Sequence, residues 1–192
     1  SVLREMTKLM PNEDFIYFKG NSDKKLKDIK IDGESLLKDE KDLTPQELEY
    51  KNSLSEDRYA KKPDVLLFPD EGKCIILEFK NPDVNISSQL QQINNYASLI
   101  WNFSKDKFKF NTFYGYFIGE KINAFDVRAH DSSFIESYHF DFLFRPSKPI
   151  AGLFRSGDAN LYMEVIKYST LLERAKRRNE IFIRKLDGKN ND

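Results

Sequence analysis

The chain has 192 residues, of which 40% are hydrophobic and 32% are charged, a balance typical of a folded protein rather than a disordered one. Lysine plus arginine and aspartate plus glutamate both number 31, so the net charge is zero, and any contact with nucleic acid must use a local patch, metal ions or other parts of a larger assembly. With two histidines and one cysteine, the composition argues against a Cys/His zinc site.

The first third of the chain is predicted to alternate between short structured segments and polar stretches. The pattern predicts a helix over residues 2–10, a strand over residues 14–19, and a polar insertion over about residues 20–62 with a hairpin near Asp32. Inside this insertion, Thr44, Pro45 and Glu47 have the spacing of a capping box with proline in the first turn. They predict the start of a helix that runs to about residue 59.

Two continuous apolar runs, residues 64–68 and 73–79, predict neighbouring strands that are buried on both faces. A tight turn joins them, and Gly72 suits the positive φ that such a turn needs. Cys74 lies inside the second run, so we expect a buried thiol in a disulfide-free, cytoplasmic protein. No apolar run reaches the roughly 20 residues that span a bilayer, so we expect no membrane contact.

The remainder of the chain is predicted to add further strands and two helices. The predicted strands cover residues 110–118, 125–127, 138–144 and 161–168, and the helices cover about residues 88–102 and 170–186. Ser88 with Gln91, and Thr170 with Glu173, have the spacing of capping boxes at the two helix starts.

These elements predict an α/β fold with a mixed central sheet flanked by helices. We expect residues 1–118 to form a core that carries the polar insertion. Residues 119–192 are expected to form a C-terminal extension of strands and one helix, packed on that core.

The last predicted helix carries an excess of positive charge. Arg174, Arg177 and Arg178 are candidates for contact with the phosphate backbone of nucleic acid, and a merely solvated face remains the alternative. The opposite face is apolar and is expected to dock on the domain; it consists of Leu172, Ala175, Phe182 and Leu186.

One constellation of charged residues lies at the ends of the two apolar strands. With the turn over residues 70–72, Asp64 falls opposite Glu78, so both side chains share one face of the sheet. Lys80 lies two residues beyond Glu78 and shares that face. Two adjacent carboxylates repel each other unless a cation lies between them, and Mg²⁺ suits oxygen ligands and retains waters. The pattern predicts a magnesium site beside a lysine, although a strand-start aspartate and a solvent-facing ion pair would explain the same residues.

Pro63-Asp64, followed by Glu78-Phe79-Lys80 at the end of the next strand, resembles the signature of the PD-(D/E)XK nuclease superfamily, which has the restriction-endonuclease-like fold. The superfamily core is a helix, three strands, a helix and a further strand, and the predicted elements before residue 118 follow that order. The polar segment before Pro63 would be an insertion between the first two core strands.

The next predicted helix extends the resemblance. Gln92 and Tyr96 are similar to the Gln-x-x-x-Tyr of the RecB-like branch, and they lie on a stripe beside the buried one. The superfamily often has an acidic residue on its first helix, for which Glu5 is the candidate, with Glu47 and Glu56 as alternatives.

The resemblance implies hydrolysis of nucleic-acid phosphodiester bonds, with DNA as the expected substrate and Mg²⁺, or Mn²⁺ in its place, as the cofactor. Asp64, Glu78 and the backbone carbonyl of Phe79 would be the metal ligands. Lys80 would position or activate the attacking water, with help from Gln92.

Two other functional classes remain open at this level. The chain could be a nuclease-fold module that binds nucleic acid or a partner protein without using the chemistry. It could also be a structural part of an ATPase-linked or defence protein. In each case we expect further domains in a longer parent chain, and association into a homo-oligomer is an additional possibility.

Overall fold

The computed structural model describes residues 15–18, 25–54, 62–69, 72–139 and 141–188. The helix predicted over residues 2–10 lies outside these residues, as do Glu5 and Glu56.

Strands alternate with helices along the described chain. The strands are β1 (Phe15–Phe18), β2 (Lys30–Ile31), β3 (Glu34–Ser35), β4 (Val65–Pro69), β5 (Lys73–Phe79), β6 (Thr112–Gly119), β7 (Ile135–Glu136), β8 (Phe142–Ile150) and β9 (Ala159–Lys167). The α-helices of the described residues are α1 (Pro45–Ser53), α2 (Gln91–Phe103), α3 (Ala124–His130) and α4 (Tyr168–Gly188).

Seven strands form one mixed sheet in the order β1-β4-β5-β6-β9-β8-β7, while β2 and β3 form a separate hairpin. Strands β5, β6 and β9 are parallel, and β4 and β8 run antiparallel to their neighbours β5 and β9. The ends of β5, β6 and β9 therefore meet the beginnings of β4 and β8 at one edge. The predicted α/β fold with a mixed sheet and flanking helices is confirmed. Three strands of this sheet come from the segment after residue 118.

The hairpin of β4 and β5 has the register that the sequence predicts, with Val65 opposite Leu77 and Leu67 opposite Ile75. Gly72 has a φ of 73°, and a Cβ atom there would lie 2.5 Å from the backbone oxygen of Lys109. Any other residue at this turn would be strained by its backbone conformation and by the close approach. Two apolar strands and one obligatory glycine thus fix the position of the hairpin.

The main core lies between the sheet and α2. Ile93, Ala97 and Ile100 of α2 are fully buried, and Ile93 reaches so close to the sheet that a Cβ on Gly115 would lie 2.5 Å from its side chain. Cys74 is fully buried in this core, as expected. A smaller apolar cluster around Val65 and Leu77 lies on the opposite face of the sheet.

The prediction of a strand over residues 125–127 is wrong, because these residues lie in the first turn of helix α3. The side chain of Asn123 accepts hydrogen bonds from the backbone N–H groups of Phe125 and Asp126, which caps the helix. Phe125 itself is largely exposed, so its aromatic ring is not evidence of a buried strand. The local capping signal outweighs the β-propensity of three residues.

The last strands and helix also differ from prediction at their boundaries. Strand β8 begins at Phe142 rather than at residue 138, because Ser137 and Asp141 form a hydrogen-bonded turn. Helix α4 begins at Tyr168, so Thr170 is not its cap; instead its hydroxyl donates to the Asp141 carbonyl. No side chain caps the start of α2 either, which shows that Ser88 does not form the predicted box.

The predicted docking of α4 through Leu172 is wrong as well, since this side chain is 52% exposed. In contrast, the capping box of Thr44 and Glu47 is confirmed, although the helix it starts ends at Ser53. Glu47 is buried and also pairs with Lys38 at 3.0 Å, which explains it as a structural residue. Within the described residues, no helix combines the length and the apolar character needed to cross a membrane.

Candidate metal centre

Asp64 and Glu78 meet where β4 begins and β5 ends. The backbone N–H of Asp64 donates to Oε1 of Glu78 at 3.4 Å, and Oδ2 of Asp64 accepts from the backbone N–H of Phe79 at 2.7 Å. Continuing the observed strand pairing by one residue places the two acids opposite each other. The shared face that the sequence predicts is therefore consistent with both the register and the hydrogen bonds.

Glu78 is a carboxylate in an environment that disfavours its charge. It is only 2% exposed, and burial, followed by the nearby charge of Asp64, raises the pKa of Glu78 to about 7. The ammonium of Lys80 acts in the opposite direction but does not outweigh the other two effects. A further cation beside Glu78 would stabilise its ionised form.

Lys80 is held in place by two side chains rather than extended into solvent. Its Nζ lies 3.2 Å from Oε2 of Glu78 and 2.8 Å from Oε1 of Gln92, and the side chain is 14% exposed. Gln92 in turn donates to the hydroxyl of Tyr96 at 3.0 Å. Four residues that were predicted from the sequence therefore form one continuous chain of hydrogen bonds: Glu78, Lys80, Gln92 and Tyr96.

Tyr96 is more deeply placed than its predicted position at the edge of a helix stripe. Its side chain is fully buried, and burial raises the pKa of its hydroxyl above the usual range. Because the hydroxyl remains neutral, it can accept from Gln92 and still donate a proton to another acceptor. Its location fixes Gln92, and through Gln92 the lysine.

The backbone of Phe79 lies beside Asp64 because its N–H is bound by that carboxylate. The N–H and C=O of one strand residue point to the same neighbour, so the Phe79 carbonyl also faces the β4 side. This direction suits the role of a ligand next to Asp64.

One residue of this region was missed by sequence reasoning. The hydroxyl of Tyr168 donates to the backbone carbonyl of Lys80 at 2.9 Å, and its ring stacks on Phe79 with centroids 6.4 Å apart. Tyr168 is the first residue of α4, so this contact anchors the helix at the candidate centre. Because 88 residues separate it from Lys80, only the strand order could have revealed the contact.

The three candidate arginines of α4 do not reach the centre. Arg174 pairs with Asp141 at 2.5 Å and lies over the ring of Phe142, while Arg177 pairs with Glu173 on its own helix. Arg178 is exposed on the same helix. They lie along a helix that starts beside the centre, so their predicted role in nucleic-acid binding stays a prediction.

The donor set of the centre fits a small, hard cation. Two carboxylates and a carbonyl are the ligand types that Mg²⁺ prefers, with waters completing its coordination. Among the described residues, no group of three or more histidine, cysteine, aspartate or glutamate side chains is arranged to hold a metal. A third protein carboxylate would therefore have to come from outside this part of the chain, where Glu5 lies.

Comparison of the chain with family models, with curated proteins and with solved structures finds no match. Function must therefore be inferred from the chemistry of the residues themselves.

Proposed function

We propose that the chain is a metal-dependent nuclease that hydrolyses phosphodiester bonds of DNA, as a module of a larger protein. The observation that carries this proposal is the convergence of Asp64, Glu78 and Lys80 at one strand end, with Gln92 holding the lysine. The arrangement supports membership of the PD-(D/E)XK superfamily with its restriction-endonuclease-like fold.

Asp64, Glu78 and the Phe79 carbonyl would hold the metal ion. When bound, Mg²⁺ supplies a Lewis acid that activates water and offsets the negative charge of the phosphate. Asp64 is kept in position by the Phe79 N–H, and the raised pKa of Glu78 means that the protein gains by giving this carboxylate a cationic neighbour.

Lys80 would act on the attacking water or on the developing charge of the phosphate. Its ammonium has three donors, of which Glu78 and Gln92 use two in the structure. Among the described residues the third donor has no hydrogen-bond partner, so it can turn toward substrate without loss of either contact. Because two partners already fix the lysine side chain, it loses little conformational freedom when it acts on substrate. This favours a preorganised electrostatic role.

A second candidate function is a binding module that retains the fold but not the chemistry. The direct ion pair of Lys80 with Glu78 favours the binding module, because this lysine already occupies the side of Glu78 at which a metal ion would otherwise be the cationic partner. In that case divalent ions would bind weakly, and nucleic acid would bind without being cut.

A cleavage assay with matched variants separates the two functions. Plasmid, linear and single-stranded DNA are incubated with Mg²⁺, Mn²⁺ or EDTA, and thermal unfolding with and without the ion reports metal binding. We expect Lys80→Ala to lower cleavage at least about a hundredfold while the metal-dependent stabilisation survives. Asp64→Ala should lose both.

Lys121→Ala is the control, because Lys121 is 62% exposed and pairs only loosely with Asp83 at 3.7 Å. It should keep wild-type cleavage. Wild-type cleavage by the Lys80 variant would instead contradict the assigned role of this lysine. An absence of metal-dependent cleavage by the unmodified chain, on every substrate, would leave the binding module as the better account.

A further inference from the structure

A second polar site lies on the other side of the start of α2. It is a cavity of about 470 Å³, bounded by the segment before α2, the turn after α3 and strand β8. Its polar lining includes Ser87, Ser88, Gln91, Ser132, Arg145 and Lys148, and we call it the basic pocket. Its volume lies in the range of small-molecule sites.

The charges at this pocket do not cancel. Arg145 donates to Asp131 at 3.0 Å and to Asn94 at 2.9 Å, and Lys148 lies 3.0 Å from both carboxylate oxygens of Asp131. Two cations thus share one carboxylate, which leaves one positive charge. His130 also lines the pocket.

Arg145 is unusual because it is almost completely buried. Only 3% of its side chain is exposed, and its Nε atom has no hydrogen-bond partner within the described structure. Its guanidinium lies over the ring of Phe134, with 5.7 Å between the two centres. Arg145 thus places a fixed, almost fully buried positive charge at the wall of a polar cavity that a single carboxylate does not neutralise, which favours an additional anion there.

The helix start beside the pocket adds to the positive potential. The N-cap residues of α2 and of the short helix Ser87–Gln89 before it make no capping side-chain bond, and neither helix has an acidic residue in its first turn. The side-chain acceptor there is Oδ1 of Asn85, which accepts from the Ser87 N–H at 3.1 Å and carries no charge. The 13-residue helix α2 presents the positive end of its dipole at this point. Two independent features, the helix start and the buried arginine, therefore favour the same sign of ligand.

The basic pocket and the candidate metal centre share one face of the sheet. In the strand register of the sheet, Arg145 lies opposite Met163, Met163 opposite Gly115, and Gly115 opposite Ile76. Ile76 is two residues before Glu78 on the same strand, so its side chain points to the same face. Three strand spacings and two residues correspond to about 16 Å between the Cα atoms of Arg145 and Glu78. This is a span of several nucleotides along a strand.

We propose that the basic pocket binds a phosphate group of the nucleic-acid strand, several nucleotides away from the bond that is cut. The proposal rests on the proposed function for the identity of the substrate, but phosphate binding itself does not. The pocket selects for phosphate by charge and by hydroxyl and guanidinium donors. It contributes no reacting group, so its residues position the strand rather than take part in the chemistry.

The test measures binding of inorganic phosphate and of short DNA strands in EDTA, where no cleavage occurs. Strands with a 5′-phosphate, a 3′-phosphate or no terminal phosphate distinguish a terminal from a bridging group. Lys148→Ala is the main variant, because this side chain is 42% exposed and its loss leaves Arg145 paired with Asp131. Lys121→Ala, outside the pocket, is the matched control.

We expect Lys148→Ala to weaken binding of phosphate and DNA about tenfold, and to lower the dependence of log Kd on log salt by about one. Lys148→Glu should abolish phosphate binding. Equal binding by the Lys148 and Lys121 variants would overturn the proposal, as would an absence of phosphate binding by the wild-type chain.

The outcome is separable from that of the proposed function. Lys80→Ala should bind phosphate like the wild type, because Lys80 is not part of the pocket. If phosphate binding depends on Lys148 but no metal supports cleavage, phosphate binding by the pocket is supported and the nuclease proposal is contradicted. If cleavage depends on Lys80 while Lys148→Ala binds phosphate normally, the nuclease proposal is supported and phosphate binding by the pocket is contradicted.

Discussion

Two clusters of charged side chains lie on either side of the start of α2, and they differ in the charge that they leave uncompensated. The candidate metal centre has two carboxylates, Asp64 and Glu78, and one ammonium from Lys80. The basic pocket has two cations, Arg145 and Lys148, around one carboxylate. A partly buried cluster that cannot neutralise itself gains from a ligand of the opposite sign. One cluster therefore suits a metal cation and the other suits a phosphate anion.

The carboxylates of the two clusters also differ in how well the protein satisfies them. Burial and the charge of Asp64 raise the pKa of Glu78. For Asp131, burial alone would raise the pKa, but hydrogen bonds from Ser133, Lys148 and Arg145 outweigh it and hold the pKa well below its usual range. Glu78 is more deeply buried and lies beside a second carboxylate, whereas Asp131 is partly exposed and accepts from several donors. The well-paired carboxylate of Asp131 should therefore stabilise the fold, and the poorly paired carboxylate of Glu78 should weaken it.

The largest expected effect on stability concerns the buried arginine that pairs with Asp131. Arg145→Met should destabilise the chain by about 3 kcal/mol or more, because it removes one partner of a buried ion pair and leaves Asn94 without its donor. Urea denaturation measures the change. Arg177→Met, which removes an exposed pair with Glu173, should cost at most about 0.5 kcal/mol. Equal losses of unfolding free energy in the two variants would contradict the expectation that the buried ion pair of Arg145 stabilises the chain more than an exposed pair does.

The next effect concerns Glu78, whose replacement should raise the stability of the chain at high pH rather than lower it. Because the pKa of Glu78 is about 7 in the folded chain and 4.5 ordinarily, the folded state keeps a proton that the unfolded state releases. The contribution of Glu78 to stability is present below about pH 4.5 and is lost as the pH rises through 7. Relative to the wild type, Glu78→Gln should gain about 2 kcal/mol between pH 5 and pH 8.

Unfolding is measured in EDTA at both pH values, so that no divalent ion compensates Glu78. Glu47→Gln is the matched control. Burial opposes ionisation of Glu47, but hydrogen bonds from Thr44 and Lys38 lower its pKa. The stabilisation by Glu47 is therefore present above about pH 4.5 and is lost only as the pH falls below it, so the glutamine variant should be less stable than the wild type by a similar amount at pH 5 and at pH 8. A parallel pH response of the two variants would show that Glu78 is not the strained carboxylate.

The smallest effect tests the contact between α4 and the candidate metal centre. Tyr168→Phe removes the hydrogen bond to the Lys80 carbonyl but keeps the stacked ring, so it should cost about 1 kcal/mol and also lower cleavage. Tyr162→Phe removes a comparable hydrogen bond to Glu164, away from the centre. Its stability loss should be similar, with cleavage unchanged. If both variants cleave like the wild type, Tyr168 is structural only.

The parts of the fold that local rules govern could be predicted from the sequence. The apolar strands around a turn gave the correct register for β4 and β5, and with it the meeting of Asp64 and Glu78. The spacing of Gln92 and Tyr96 likewise placed both on the helix that faces this hairpin. These inferences needed only alternation in strands and the period of a helix.

The basic pocket could not be predicted in the same way. Arg145 lies in β8, which contains Pro146 and Pro149 and therefore does not have the pattern of an internal strand. Its partners Asn94 and Asp131 are 51 and 14 residues away in the chain. The strand order, in which β9 lies between β6 and β8, brings them together. Such long-range order has no local signature.

The same strand order has a consequence for folding during synthesis. Among the strands of the described sheet, β9 comes last in chain order, yet it pairs with β6 on one side and β8 on the other. Until Ala159 and the residues after it are synthesised, β6 has a long unpaired edge, which is a template for aggregation. Pairings so distant in sequence also close slowly. We therefore expect the newly made chain to depend on chaperones until β9 is inserted into the sheet.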